Sequence, residues 1–234
     1  MSMLVDIFSS FDDNNQVFMS MYMFMWLFSL ITILMYSSTY WVMTPRWTST
    51  MMSFKDTVSS QIFRSYGMKM GGFINVTTAL FLFLITMNLS GLIPYVFSST
   101  SHLAVSLSLG LPFWLSLIIS GIFFNPSSVV AGLLPMGAPA PLNPFLVIIE
   151  TVSIMVRPVT LSVRLTANMS AGHIVLTLVG SYLTMGLFIS SSMFSMLLLL
   201  CIQIFYTIFE FGISLIQAYI FCLLITLYSD EHPH

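Results

Sequence analysis

Charge is what this sequence most lacks. Of its 234 residues only 6% are Asp, Glu, Lys or Arg, while 57% are hydrophobic. A water-soluble domain carries roughly 25% charged residues, so most of this surface must face lipid or other apolar protein. Lysine and arginine number six in all, and four of them lie in one segment, which leaves no phosphate-binding surface for nucleic acid. Cysteine is nearly absent. Cys201 and Cys222 share one apolar stretch, and on a helix they would stand about 30 Å apart, too far to bridge. The N-terminus lacks a positive n-region, carrying Asp6, Asp12 and Asp13 instead, so the first apolar run is expected to be kept as a span. Histidine is scarce where it would matter for redox chemistry. His102 sits in a link and His232 and His234 at the end, leaving His173 alone inside the apolar runs. A haem or copper site needs several such ligands, and no H-E-x-x-H pattern offers a hydrolase. No metal and no cofactor are expected.

What is present is a series of long apolar runs, which read as an all-α polytopic membrane protein of one domain. Residues 17–43 are uncharged and exceed the ~20 residues needed to span a bilayer. The segment 46–70 follows, with Arg46, Lys55, Asp56, Arg64 and Lys69. In it Trp47, Met51, Phe54, Val58, Ile62 and Tyr66 recur every three to four residues, as in an amphipathic helix on the membrane surface; a solvated loop is the alternative. Two spans at 73–124, joined by the short link Ser98–His102, form a hairpin. The stretch 125–144, with Pro126, Pro135, Pro139, Pro141 and Pro144, reads as a loop or re-entrant turn. Residues 145–228 form a last helical hairpin whose arms, of about 68 and 54 Å, overrun a hydrocarbon core of roughly 30 Å. Either each arm is broken or both are strongly tilted. The total is about five membrane helices plus the surface helix. Basic residues gather at 46–70, which orients that segment to the positive-inside compartment.

Between Met70 and Ser229 the only formal charges are Glu150, Arg157, Arg164 and Glu210, with His173 as the titratable addition. A charge at mid-helix costs about 2.5–3.5 kcal/mol on insertion scales, and such residues usually line ion or proton pathways. A paired structural charge is the alternative, above all for Arg157. Glu150, Arg157 and Arg164 are seven apart on one stripe, extended by Asn168 at i+4. Gln203, Glu210 and Gln217 make a second stripe. With the hairpin turning at Ser190–Ser192, Arg164 faces Gln217, His173 faces Glu210, and Glu150 falls beside Asp230 and Glu231. Only Arg157 is left without a partner at its level. Glu and His can exchange protons near neutral pH when buried, whereas Arg, with a pKa above 12, cannot. Titratable zones on both sides of a permanent cation make two access routes and a block between them. A proton crosses such a block only on a moving carrier, so a partner bearing its own carboxylate is expected.

The run ETVSIMVRPVTLSVRLTANMSAGH (Glu150–His173), with NLSGLIPYVF (Asn88–Phe97) and IQAYIF (Ile216–Phe221), resembles subunit a of the ATP synthases, over essentially the whole chain. The resemblance implies a non-catalytic membrane subunit that forms two half-channels against a rotating c-ring, with other Fo and peripheral-stalk subunits and membrane lipid as further partners. It implies that Arg164 faces the ring carboxylates, with Asn168 and Gln217 as polar neighbours. His173 and Glu210 would line the incoming half-channel and Glu150 the outgoing one, in a multi-pass protein of the mitochondrial inner membrane with 46–70 toward the matrix. A different carrier would be expected to show inverted repeats or further intramembrane Lys and Glu, and neither is present.

Overall fold

The structure, a computed structural model, describes residues 11, 46–93, 98–134, 142–188 and 192–232. The expected first span, 17–43, lies outside them. Among the described residues the elements are α1 (Arg46–Ile62), α2 (Phe73–Gly91), α3 (Leu103–Phe124), α4 (Pro126–Gly132), α5 (Asn143–Phe188) and α6 (Met193–Asp230). Short 3₁₀ turns at Tyr66–Lys69 and Ser99–Ser101 precede α2 and α3. Four of these helices, α2, α3, α5 and α6, are long and apolar enough to cross a membrane.

The two last helices are single, unbroken elements of 46 and 38 residues, about 69 and 57 Å long. Pro158 lies inside α5 and Pro112 inside α3. Each removes one intrahelical donor, a loss that membrane helices tolerate when neighbouring protein packs around the freed carbonyl. Pro158 is buried. Of the two explanations for the excess length, breakage is therefore excluded, and helices this long must slant or project beyond a roughly 30 Å core.

α5 packs on α3 along one side and on α6 along another, while α2 packs on α6 and on α1. The core sits where these pairs meet, with Leu84, Ile85, Leu161, Leu165, Phe221, Cys222 and Ile225 buried. The outer faces stay apolar: Phe123, Phe194 and Phe205 are exposed among many others, as lipid or partner subunits require.

α1 confirms the amphipathic pattern in part. Val58 and Ile62 are fully buried and Phe54 packs beside them, but they join the core of α2 and α6, so this end of the helix is anchored to protein. Tyr66, the last member of the expected stripe, is exposed, because α1 has ended at Ile62 and the chain turns. The Tyr66 backbone N–H instead donates to Asp230 Oδ1 at 2.8 Å, tying that turn to the end of α6.

One expectation is corrected at 125–144. Part of that stretch is helical, because Pro126 occupies the first turn of α4, where its missing N–H costs nothing. Asn125 caps it, accepting from the Ser128 backbone N–H and from the Ser127 hydroxyl. Helix α5 likewise begins at Asn143, with Pro144 in its first turn. Residues 135–141 lie outside the described part.

Ile62 fills a protein core at one end of α1, so Ile62→Ala should destabilise by about 2–5 kcal/mol. Met52→Ala on the exposed face should change stability by no more than about 0.5 kcal/mol. Thermal unfolding of the detergent-purified complex would check this; equal effects would mean that α1 is held by lipid alone.

Candidate functional site

The polar residues of α5 and α6 fall into three levels along the hairpin. At one end, the buried Glu210 lies against Gly172, and a Cβ on residue 172 would overlap its carboxylate. Close approach of α5 and α6 at this level is possible because 172 is glycine. Tyr206 stands one turn before Glu210 on α6, and Oε1 of Glu210 has no hydrogen-bond partner among the described residues. His173 is at the same level, as expected, but turned about 100° around α5 from residue 172. Its imidazole meets the ring of Phe11 edge-on, at 6.3 Å between centroids. Nε2 would lie 3.9 Å from a Cβ on Gly91 of α2, and it has no hydrogen-bond partner among the described residues. The level of Glu210 and His173 therefore matches the sequence reading, whereas no direct hydrogen bond joins them.

At the middle level the expected pairing shifts by one turn. The hairpin register predicts Arg164 opposite Gln217. Gln217 is buried, and its Oε1 accepts instead from Asn168 Nδ2 at 2.7 Å. Arg164 is exposed on the outer face of α5 and makes no hydrogen bond or ion pair with another described residue. Around it Thr160, Val163, Ala167, Asn168 and Ala171 are exposed too. These are small or short side chains, so the face around the guanidinium is open to close approach by a neighbouring helix.

The third level corrects the reading of Arg157, for which the register offers no partner. Its guanidinium lies between two carboxylates, 3.7 Å from Glu150 on its own helix and in direct contact with Glu231 just past α6. It also lies over the Tyr228 ring, at 5.2 Å. Glu150 is thus near the acidic end of α6 as expected, but Arg157 joins the two. Register alone misses this contact because Arg and Glu are long enough to meet across more than one turn.

Two further groups are not singled out by the sequence reading. Asn88 of α2 is buried and donates from Nδ2 to the Ser214 carbonyl at 3.3 Å, one turn past Glu210, while its Oδ1 has no partner among the described residues. An amide in an otherwise apolar span is a readable signal. Tyr206 at i−4 from Glu210 is another. Gly172 gives none, since a glycine in an apolar helix does not say what approaches it.

A sequence model of the family described as ATP synthase A chain matches residues 17–230. The chain belongs to this family. Among its relatives, ATP synthase subunit a of Artemia franciscana is 39% identical over 98% of this chain and 100% of its own length. The subunit a of Drosophila melanogaster is also 39% identical, over 98% of this chain and 99% of its own. ATP synthase F(0) complex subunit a of Lycodon semicarinatus is 43% identical over 67% of this chain and 69% of its own length. A member of the ATP synthase A chain family is the proton-translocating Fo subunit of an F-type ATP synthase. The intramembrane Arg, Glu and His residues lie on the two longest helices of such a subunit.

Replacing Gly172 with Ala should displace the Glu210 carboxylate while leaving the apolar packing of α5 and α6 in place. Proton conduction through Fo is expected to fall at least about tenfold, as for a lost interaction of 1.4 kcal/mol or more, with normal assembly. Wild-type conduction in an assembled Gly172→Ala complex would show that Glu210 does not need this seat. The register has its own check. Cysteines at 168 and 217 should cross-link on mild oxidation, and cysteines at 164 and 217 should do so far less.

Proposed function

We propose that α5 and α6 form two half-channels against a ring of carboxylate-bearing subunits, and that Arg164 separates them. The observation that supports this most is the position of Arg164, on an open face of small residues, with titratable groups on either side along the same hairpin. His173 is nine residues after it, and Glu210 is at that level; Glu150 is 14 residues before it. In straight-helix distance these are about 13 and 21 Å, far enough apart to keep two proton routes from merging.

The chemistry follows from the side chains. A proton arriving at Glu210, with His173 beside it, can be handed to a ring carboxylate that passes the face of α5. Neutral, that carboxylate can enter lipid, where its charged form is strongly disfavoured. When it returns to Arg164 the permanent cation favours the ionised form, and the proton is released toward Glu150. Asn168 and Gln217, hydrogen-bonded to one another, hold the polar seam of the hairpin beside the arginine. Each elementary charge crossing the membrane yields about 2.3 kcal/mol per 100 mV, and the chain itself makes no ATP. Partners on this reading are the c-ring, other Fo subunits and the peripheral stalk. The animal relatives and the basic 46–70 segment favour the mitochondrial inner membrane, with α1 toward the matrix.

Arg164→Gln is expected to leave an assembled complex without ATP synthesis coupled to proton flow. Arg164→Lys should be severely impaired as well, since a point ammonium does not replace the planar fork. Coupled synthesis at the wild-type rate in an assembled Arg164→Gln complex would overturn the assignment. Sidedness gives a second measurement: single cysteines at 150 and 210, in a cysteine-free background, should react with impermeant thiol reagents from opposite faces of sealed membranes. Labelling of both from one face would refute two separate half-channels.

A further inference from the structure

On the side of α6 facing α1, away from the proton-path residues, a cavity of about 540 Å³ opens between α1, α2 and α6. This is within the roughly 300–1,000 Å³ of small-molecule sites. Its walls differ in chemistry. One is polar and built mainly by α1 and the turn after it: Thr57, Ser60, Gln61 and Arg64. The other is apolar, formed by Phe81 and Ile85 of α2 with Leu215 and Ile216 of α6. Tyr219 stands at the seam, where Gln61 Nε2 donates to its hydroxyl oxygen.

On the polar wall the Thr57 and Ser60 hydroxyls already donate to the Phe54 and Thr57 carbonyls, which leaves Tyr219 and Arg64 as the groups placed to donate into the cavity. Because the Tyr219 oxygen accepts from Gln61, its own proton is directed elsewhere, and it has no acceptor among the described residues. The Arg64 side chain makes no ion pair or hydrogen bond with them either, and its guanidinium offers up to five N–H donors. The cavity lining includes no carboxylate. The surrounding segment adds Arg46, Lys55 and Lys69 against Asp56, and Asp230 approaches it at Tyr66, so basic groups still outnumber acidic ones around the cavity. A cationic wall with these two donors suits a phosphate, and Arg is the side chain best matched to one. A free phosphate would leave Phe81, Ile85 and Leu215 facing water. A ligand joining a phosphate to a hydrocarbon chain satisfies both walls, and basic pockets between membrane helices on the positive-inside face suit anionic lipid headgroups.

We propose that this cavity is a binding site for an anionic membrane phospholipid, with its phosphate at Arg64 and Tyr219 and an acyl chain along Phe81, Ile85 and Leu215. Bound there, the lipid fills the space between α1 and the α2–α6 core. The proposal is independent of the half-channel reading, since none of the lining residues belongs to the proton path.

The test uses the intact ATP synthase complex in phosphatidylcholine vesicles, with a small fraction of phosphatidylglycerol carrying a photoreactive diazirine on one acyl chain. After illumination, adducts should map to the peptides containing Phe81, Ile85 and Leu215. Photoreactive phosphatidylcholine carries the same phosphate but adds a choline cation that the basic segment repels, and it should label them at least about tenfold less; Arg64→Gln, which removes the charge-assisted contact itself, should reduce phosphatidylglycerol labelling similarly. Excess inorganic phosphate should not compete. Equal labelling by the two lipids, labelling unchanged in Arg64→Gln, competition by inorganic phosphate, or adducts only on neighbouring subunits would each overturn the proposal. The comparison of the two lipids uses the wild-type complex, so it decides the matter even if Arg64→Gln fails to assemble.

Discussion

The carboxylate of Glu210 occupies the space that a side chain at residue 172 would take, and this contact sets how α5 and α6 meet. A buried carboxylate needs both room and polar partners; here the room comes from the missing side chain on the opposite helix, while Oε1 has no hydrogen-bond partner among the described residues. Two turns along α6, Gln217 meets Asn168. Beyond that, the end of α6 is fastened to α5 through Arg157 and Glu231. Asn88 secures α2 to α6 through the Ser214 carbonyl, between the levels of Glu210 and Gln217. Charge scarcity gives these few contacts their weight: in so apolar a chain, each polar group inside the membrane has few possible partners, and those partners fix the register.

Most of the architecture is readable in the sequence because the bilayer simplifies the code. Long uncharged runs mark spans, and Arg164, Glu210 and His173 stand out because charge in such runs is expensive. The level of Glu210 with His173 follows from the turn position alone. Elsewhere local pattern does not carry the answer. The period of α1 shows which face is apolar, but cannot tell that Val58 and Ile62 meet α2 and α6. Pro126 reads as a breaker by type, although Asn125 before it and its own place in the first turn mark a helix start. Arg157 lacks a partner by register because register counts Cα levels and ignores the reach of two long side chains. The outward direction of Arg164 also belongs to packing: α3 and α6 take two sides of α5 and leave the third to the arginine.

The charged groups divide by role. Arg157 is satisfied by two carboxylates within its own chain, with part of its surface still open, so it acts as a fastening at one end of the hairpin. Arg164, on the same stripe of the same helix, has no such pairing among the described residues and is available to a partner. Two arginines seven residues apart therefore have different fates, decided by whether α6 supplies an acid within reach.

The uninterrupted length of α5 has a mechanical meaning. A stationary element beside a moving partner must resist sideways force, or the work of each step goes into bending it. A lone helix this long would flex readily. α5 instead lies between α3 and α6 for much of its course, is fastened at the Arg157 level, and carries its only internal proline where the helix is buried. Bracing is thereby concentrated at the level of the arginine, between Pro158 and Gly172, where α5 is buried against its neighbours; on the proposed reading this is the stretch on which a passing ring would bear.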